Sequence, residues 1–162
     1  MAGILIVDDD PSIRAMFARA LGALGEIEQA ANGGDALRLL AVKKFGVILL
    51  DLHMPVMDGF VVLHTLANKP GPNKDTPIYV ITADTSDQAR IRALRRHAVF
   101  LLTKPVPIAT LTALVDAALK KSILRAQVAR DAADAKAPAQ PGKDTPSSRP
   151  PGTPRAPKKP GA

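Results

Sequence analysis

The stretch VILLDLHMPVMDGF, residues 47–60, decides the fold of this chain. Its first four residues form a continuous apolar run, which is typical of a β-strand buried on both faces of a parallel sheet. The run ends on a single carboxylate, Asp51, and a proline and an Asp-Gly pair follow. Because ligands collect where parallel strands end, an acid at that position indicates a functional site.

The same pattern recurs over the first 121 residues. Strands are predicted at GILIV (3–7), EIEQA (26–30), GVILL (46–50), IYVIT (78–82) and VFLLT (99–103). Helices with apolar residues at helical spacing are predicted at 10–24, 33–44, 59–68, 86–97 and 107–121. Strand and helix therefore alternate five times, and the second strand is polar enough to lie near an edge. This order predicts an α/β fold, a five-stranded doubly wound parallel sheet.

Composition limits the class of protein. The 162 residues include no cysteine and carry a formal net charge of +7, so disulfide and thiol chemistry are excluded. Residues 125–162 hold eight Lys or Arg against three Asp, whereas residues 1–124 hold 14 against 12 acids. The basic character thus belongs mainly to the tail, and no specific DNA binding is expected. The chain has no signal-peptide pattern and no apolar run of roughly 18 residues, so we expect a cytoplasmic protein without a membrane span.

Polar side chains follow four of the five predicted strands, and only the second strand contributes nothing comparable. They are Asp8, Asp9, Asp10, Asp51, Thr82 and Lys104. Adjacent carboxylates repel one another unless a cation is present, and Mg²⁺ prefers carboxylate oxygens. An ammonium and a hydroxyl suit phosphate oxygens. The combination predicts an Mg²⁺-assisted phosphoryl site in which one carboxylate can act as the nucleophile.

Each of these residues also has a purely structural interpretation. For Asp10 we favour a helix cap, and for the Asp58-Gly59 pair a tight turn. Thr82 could be an ordinary β-branched strand residue, and Lys104 could belong to a plain turn before Pro105. Taken singly these signals are weak, but their order at successive strand ends is specific.

The motifs ILIVDDDPSIR, VILLDLHMPVMDGF, VITAD and LLTKPV resemble the receiver domain of two-component response regulators, in its stand-alone, chemotaxis-regulator-like form. The resemblance covers residues 3 to about 121 and implies a (βα)5 flavodoxin-like fold. It implies that Asp51 accepts a phosphoryl group from a histidine kinase, a phosphotransfer protein or a small donor such as acetyl phosphate. Apart from this self-phosphorylation and autodephosphorylation, no enzymatic activity is expected.

The resemblance also assigns the other site residues. Asp8 and Asp9 match the acidic pair that holds Mg²⁺ together with Asp51, and Asp9 matches the more direct ligand. The backbone carbonyl of His53 matches the third protein ligand. By the same resemblance, Thr82 supplies a hydroxyl that moves toward the phosphoryl group, Lys104 pairs with that group, and Pro105 follows through a cis bond.

Three departures from the family pattern stand out. Leu101 occupies the position of the usual aromatic switch residue, with Phe100 one place away, so signalling is expected to rely on loop and helix movement in place of the usual aromatic rotation. His97 replaces a frequent glycine. His53 and Asp84 flank the site at positions that tune the lifetime of the phosphoryl group in this family.

We divide the chain into a receiver domain (1–121), a possible helical extension (122–136) and a Pro/Ala-rich basic tail (137–162) that is expected to be disordered. The extension is either a partner contact or an Ala-rich continuation of the last helix. No helix-turn-helix fits behind the receiver, so the signal is expected to pass through protein contacts. The expected surface is the helix that carries Arg90, Arg92, Arg95 and Arg96, with the last strand and last helix. A solvated basic face is the alternative.

Other functions stay open at this point. The chain could be a phosphorelay intermediate, a phosphate sink or a phosphorylation-independent scaffold. A nucleic-acid binder acting through the basic tail is a further class. A haloacid-dehalogenase-like phosphatase also uses a strand-end Asp, and Asp8-x-Asp10 fits its first motif. In that family, however, a Gly-Thr turn follows the motif and the acidic pair comes last.

Overall fold

A computed structural model describes residues 3–94 and 98–136, with the single positions 152, 157, 158, 160 and 161 further on. The described residues alternate between strand and helix throughout. The elements in chain order are β1 (Ile4–Val7), α1 (Pro11–Leu21), β2 (Ile27–Ala30), α2 (Gly33–Val42), β3 (Val47–Leu50), α3 (Gly59–Asn68), β4 (Ile78–Thr82), α4 (Asp87–Leu94), β5 (Ala98–Thr103) and α5 (Ile108–Lys136).

The five strands form one parallel sheet in the order β2-β1-β3-β4-β5. This confirms the predicted doubly wound α/β fold and places the polar strand β2 at an edge. β1 and β3, which end on acids, are neighbours, and the chain changes winding direction there. Such a switch point is where a ligand site is expected in an open α/β sheet.

Alternate residues of the central strands fill two separate cores, since successive strand side chains point to opposite faces. Leu5, Ile48 and Val80 pack with α2, α3 and α4 on one face. Ile6 and Leu49 pack with α1 and α5 on the other. Both faces of the sheet are therefore covered, which is why β1, β3 and β4 are buried along their whole length and almost entirely apolar.

Several element boundaries differ from the sequence prediction, among them the ends of α1 and α4. α1 ends at Leu21 and not at residue 24, because Gly22 caps the helix and Leu24 turns back to donate its N–H to the Leu21 carbonyl. α4 ends at Leu94. Arg95 and Arg96 of the predicted contact surface, and His97 at the position of a frequent glycine, lie outside the described residues.

The last helix is longer than the receiver requires. α5 spans 29 residues and ends at Lys136, so residues 122–136 continue the helix beyond the sheet. The Ser122 hydroxyl donates to the Gly46 carbonyl at 2.8 Å, just before β3 begins, and fixes α5 to the amino edge of the sheet. The predicted disordered tail, 137–162, falls outside the described residues apart from five positions. No helix in the described ranges is both long and apolar enough to cross a membrane.

Candidate functional site

The carboxyl edge of the sheet gathers the side chains that follow β1, β3 and β5. Asp8 comes directly after β1, Asp51 directly after β3, and Lys104 directly after β5. One oxygen from each of Asp8, Asp9 and Asp51 lies within 4.8 Å of the other two. The Lys104 ammonium lies between two of these acids, with Nζ 2.6 Å from Asp8 Oδ2 and 3.0 Å from Asp51 Oδ2. Residues that are far apart in the sequence thus form one charged cluster.

Lys104 is held in place by its backbone. Its N–H donates to the Thr82 carbonyl at 2.9 Å, and the Lys104–Pro105 peptide bond is cis, as the resemblance implies. Burial alone would lower the pKa of this lysine, but the hydrogen bonds to Asp8 and Asp51 outweigh burial and raise the pKa above its usual value. The ammonium therefore stays charged at neutral pH.

Asp8 is almost fully buried and has its own set of partners. Its Oδ1 accepts from the Asp10 N–H at 2.9 Å, and its backbone carbonyl accepts from Arg14 Nη1 at 2.7 Å. Burial raises the pKa of the Asp8 carboxyl above 3.8, and the nearby Asp51 adds to this, while the hydrogen bonds from Lys104 and Asp10 oppose it. A second cation beside this carboxylate would relieve that cost, because opposite charge favours the ionised form.

Two other acids near the site are helix caps. The Asp10 carboxylate accepts from the Ser12 N–H at 2.8 Å and from the Ile13 N–H at 3.4 Å, which confirms the predicted cap of α1. Asp58 was predicted to belong to a tight turn, but its Oδ1 accepts from the Val61 N–H at 3.1 Å and caps α3. An acid three residues before a helical N–H was the signal that could have identified this cap.

The loop after Asp51 is packed closely against the end of β3. The His53 N–H donates to Asp51 Oδ1 at 3.2 Å, and the Gly59 N–H donates to the Leu52 carbonyl at 2.9 Å. A Cβ atom at Gly59 would lie 2.2 Å from the Asp51 carbonyl oxygen. Only glycine permits α3 to begin this close to the end of β3.

Across the site, His53 and Asp84 join two loops. His53 Nε2 lies 2.9 Å from Asp84 Oδ2, so the loop after β3 contacts the loop after β4. The Asp84 pKa is lowered, first by the Ser86 N–H that donates to Oδ1 at 2.8 Å and then by His53. The Asp84 N–H donates to Thr82 Oγ1 at 3.3 Å, and this hydroxyl is fully buried. The two flanking residues therefore form a pair beside the site.

Leu101 and Phe100 lie on opposite faces of the sheet. Leu101 packs into the core on the α2, α3 and α4 side, the side to which Val80 also points. Phe100 is 45% exposed and meets Tyr79 edge to face at 6.0 Å between ring centroids, and Tyr79 belongs to the other core. Phe100 therefore cannot take over the place of the missing aromatic residue beside Thr82.

The acidic cluster fits a magnesium ion. Its donors are carboxylate oxygens, the ligands that Mg²⁺ prefers, and they lie close enough to reach one small ion. Asp9 is exposed at the rim, while Asp8 and Asp51 are buried below it, so water could complete the coordination from outside. His53 lies two residues beyond Asp51, and its carbonyl as a ligand stays a prediction.

Comparison with known proteins decides the family. The family model described as the response regulator receiver domain matches residues 4–116, well over half of the chain. The chain belongs to the response regulator receiver family. Receiver domains interact with histidine kinases or phosphotransfer proteins and act as phosphoacceptor switches. They bind Mg²⁺ in an acidic pocket of the kind formed here by Asp8, Asp9 and Asp51.

Curated relatives match the receiver over about half of their own length. The transcriptional regulatory protein PrrA of Mycobacterium tuberculosis is 35% identical over 119 residues, which are 73% of this chain and 50% of PrrA. The response regulator MprA of Mycobacterium ulcerans is 34% identical over 129 residues, which are 79% of this chain and 54% of MprA.

Solved receiver structures match over nearly their whole length. The chemotaxis protein CheY4 of Vibrio cholerae is 36% identical with a TM-score of 0.67, and the match covers 74% of this chain and 99% of CheY4. A CheY-like receiver of Methanospirillum hungatei is 25% identical with a TM-score of 0.71, over 77% and 98% of the two chains. A structure described as an adenylate cyclase from Rhodopirellula baltica has a TM-score of 0.69 at 25% identity and covers 84% of this chain and 98% of its own.

Proposed function

We propose that this receiver accepts a phosphoryl group on Asp51 and passes the signal on through protein contacts. The observation that carries the proposal is the placement of Lys104 Nζ against both Asp8 and Asp51 within the acidic cluster. A cation that already bridges the acceptor and its neighbour can pair with a phosphoryl oxygen when the group arrives. The donor is the phosphohistidine of a histidine kinase or phosphotransfer protein, or acetyl phosphate.

The proposed step is a displacement at phosphorus. An Asp51 carboxylate oxygen attacks, the bond from phosphorus to the donor imidazole nitrogen breaks, and its electron pair leaves with the imidazole. Bound Mg²⁺ would neutralise charge on the transferring group and would be held by Asp8, Asp9 and Asp51, with the His53 carbonyl as a further ligand. Lys104 and the Thr82 hydroxyl then pair with the phosphoryl oxygens. Thr82 Oγ1 accepts from the Asp84 N–H, so its own O–H remains available to donate to a phosphoryl oxygen.

Intact-mass spectrometry after incubation with acetyl phosphate and Mg²⁺ tests this proposal. We expect a gain of one phosphoryl group in the native chain and none in Asp51→Asn or in the presence of EDTA. Asp58→Asn is the matched control, because Asn caps a helix as well as Asp does and α3 should be preserved. The control should be phosphorylated like the native chain.

Two results would contradict the assignment. Phosphorylation of Asp51→Asn to the native level would mean that another residue is the acceptor. Loss in Asp58→Asn with an unchanged circular dichroism spectrum would mean that the loop cap takes part in the chemistry. If acetyl phosphate fails with every variant, a phosphorylated histidine kinase domain as donor repeats the comparison.

The output surface that we propose is formed by α4, β5 and α5. Ile91 and Phe100 are apolar and about half exposed there, and Arg90 is exposed on the same helix. Arg92 is engaged differently from the sequence expectation, since its guanidinium carbon lies 3.9 Å from the centroid of the Phe60 ring. Arg92 therefore ties α4 to α3 by a cation–π contact and is less available to an acidic partner.

A relay function is the second candidate, because a phosphoryl group on Asp51 can also be handed on to the histidine of another protein. Transfer from phosphorylated Asp51 to a histidine phosphotransfer domain would distinguish relay from a direct switch. The phosphatase alternative requires Asp10 as the second acid of its first motif. The Asp10 carboxylate instead caps α1. Binding of nucleic acid by the tail would be independent of Asp51 and dependent on salt.

A further inference from the structure

The outward face of α5 carries a regularly spaced line of exposed residues. At alternating spacings of four and three, the helix presents a line of side chains that are all exposed and that we name the outer stripe: Ala117, Lys121, Leu124, Val128, Asp131 and Ala135. Leu124 and Val128 are each 60% exposed. This spacing is the repeat by which two helices pack along a shared seam.

The opposite face of the same helix faces the domain. Ser122 bonds to Gly46, and Ala126 and Ala129 line a groove with Lys44 and Phe45 at the amino edge of the sheet. From Leu124 onward the outer stripe therefore points away from its own receiver, whereas Ala117 and Lys121 also border a groove with Pro77 and Tyr79 of the domain. Within the described residues nothing covers the outer stripe.

We propose that a second copy of this chain packs on the outer stripe with its α5 antiparallel. In an antiparallel pair whose twofold axis crosses the helices at the level of residue 126, Leu124 of one protomer faces Val128 of the other. The same symmetry sets Lys121 against Asp131 and Ala117 against Ala135, each pair occurring twice. Every position of the outer stripe then meets a partner of matching size or opposite charge.

A parallel pair would be poorly matched. It would set Lys121 against Lys121 and Asp131 against Asp131 on either side of the apolar pairs, and like charges at such positions are unfavourable. The charge pattern therefore selects the antiparallel arrangement.

The interface does not depend on phosphorylation. The outer stripe lies along the amino-edge half of α5, away from Asp51. The seam is short compared with standard interfaces, so we expect self-association in roughly the micromolar range.

Charge exchange tests the pairing by sedimentation velocity of the full chain over a range of concentrations. Lys121→Asp and Asp131→Lys should each weaken self-association by about tenfold or more, because each places like charges in both charged layers. The double variant Lys121→Asp/Asp131→Lys should restore it. Arg130→Asp is the matched control, since it makes the same change in net charge on the same helix outside the outer stripe. If Arg130→Asp weakens association as much as Lys121→Asp, the proposal is wrong.

Disulfide trapping then determines whether the two helices are parallel or antiparallel. Introduced cysteines can be used for this because the chain has no cysteine of its own. A mixture of Leu124→Cys and Val128→Cys proteins should form a mixed disulfide, and neither should link to itself, since like positions are offset by roughly 6 Å along the antiparallel axis. Ile123→Cys, exposed but outside the stripe, is the control and should not link. Self-linking of either single variant would indicate a parallel pair, and a native chain that stays monomeric at every concentration would equally overturn the proposal.

Discussion

Val56 is the strained residue of the loop beyond Asp51. It has a φ of 70°, and the Met57 N–H donates to the Pro55 carbonyl at 2.8 Å, which closes a three-residue turn around it. A β-branched side chain is disfavoured at positive φ, whereas asparagine tolerates it. Val56 is fully exposed, so its side chain contributes no packing to compensate.

We therefore expect Val56→Asn to raise the free energy of unfolding by about 1 kcal/mol. Urea denaturation of the two proteins measures the difference. Val42→Asn is the control, because Val42 is also exposed but has an ordinary φ, and this change should bring no gain. Equal effects of the two substitutions would mean that the turn is not strained.

Asp8 should give the metal-free protein a distinctive pH dependence. Because burial raises the Asp8 pKa above 3.8, the folded chain binds more protons than the unfolded chain just above that pH. The contribution of Asp8 to stability is therefore largest in acid and is lost as the pH rises through the folded pKa.

In buffer without Mg²⁺, the stability of the native chain relative to Asp8→Asn should fall as the pH rises above about 4 and through the folded pKa of Asp8, and excess Mg²⁺ should oppose this fall. Urea titrations at several pH values, with and without Mg²⁺, provide the comparison. A difference that grows with pH in the absence of Mg²⁺ would contradict the direction assigned to Asp8.

Among the helices, α3 depends most directly on one small residue. Its first residue, Gly59, leaves only 2.2 Å between an added Cβ and the Asp51 carbonyl oxygen, and the neighbouring atoms belong to backbone that cannot move aside easily. Gly59→Ala must therefore displace α3 or the end of β3.

We expect Gly59→Ala to destabilise the fold by about 2 kcal/mol and to slow phosphorylation of Asp51. Gly71→Ala is the control, since an added Cβ there meets nothing within 4 Å. Urea denaturation and the rate of mass gain with acetyl phosphate give the two readouts. An unchanged rate of phosphorylation in a destabilised Gly59→Ala protein would mean that the position of α3 does not affect the reaction at Asp51.

The sequence predicted the type and order of every element because strands buried on both faces leave continuous apolar runs and their helices leave periodic ones. It did not predict the early end of α1, which depends on the Leu24 N–H turning back to Leu21. It also missed the cap formed by Asp58, because an Asp-Gly pair is equally suited to a turn. Such local choices depend on hydrogen-bond partners, and residue types alone do not fix those.

For the site as well, the sequence predicts which residues share an edge of the sheet but does not predict all of their contacts. The rule that ligands collect at strand ends predicts from the sequence that Asp8, Asp51 and Lys104 share one edge, and their side chains do meet there. The link from His53 to Asp84 and the contact of Arg92 with Phe60 join different loops and helices, and no spacing in the sequence encodes them.

Across the whole molecule, Asp51 and the middle of α5 lie at opposite edges of the sheet. Asp51 follows β3, whereas Ser122 bonds to Gly46 just before β3. Five residues of extended chain separate these two levels by roughly 16 Å. The two ends of the receiver can therefore carry separate functions, with phosphoryl chemistry at one edge and helix contacts at the other.

A chain that ends at Lys121 tests this separation. It loses the Ser122–Gly46 bond and residues 122–136 of α5 but keeps Asp8, Asp51, Thr82 and Lys104. We expect it to gain one phosphoryl group from acetyl phosphate at a rate within about twofold of the full chain, because the transfer depends on local positioning and charge at the other edge. The loss of one hydrogen bond should lower stability by about 1 kcal/mol. A much slower reaction in a chain that is still folded, as judged by circular dichroism, would show that α5 acts on the acceptor through the sheet.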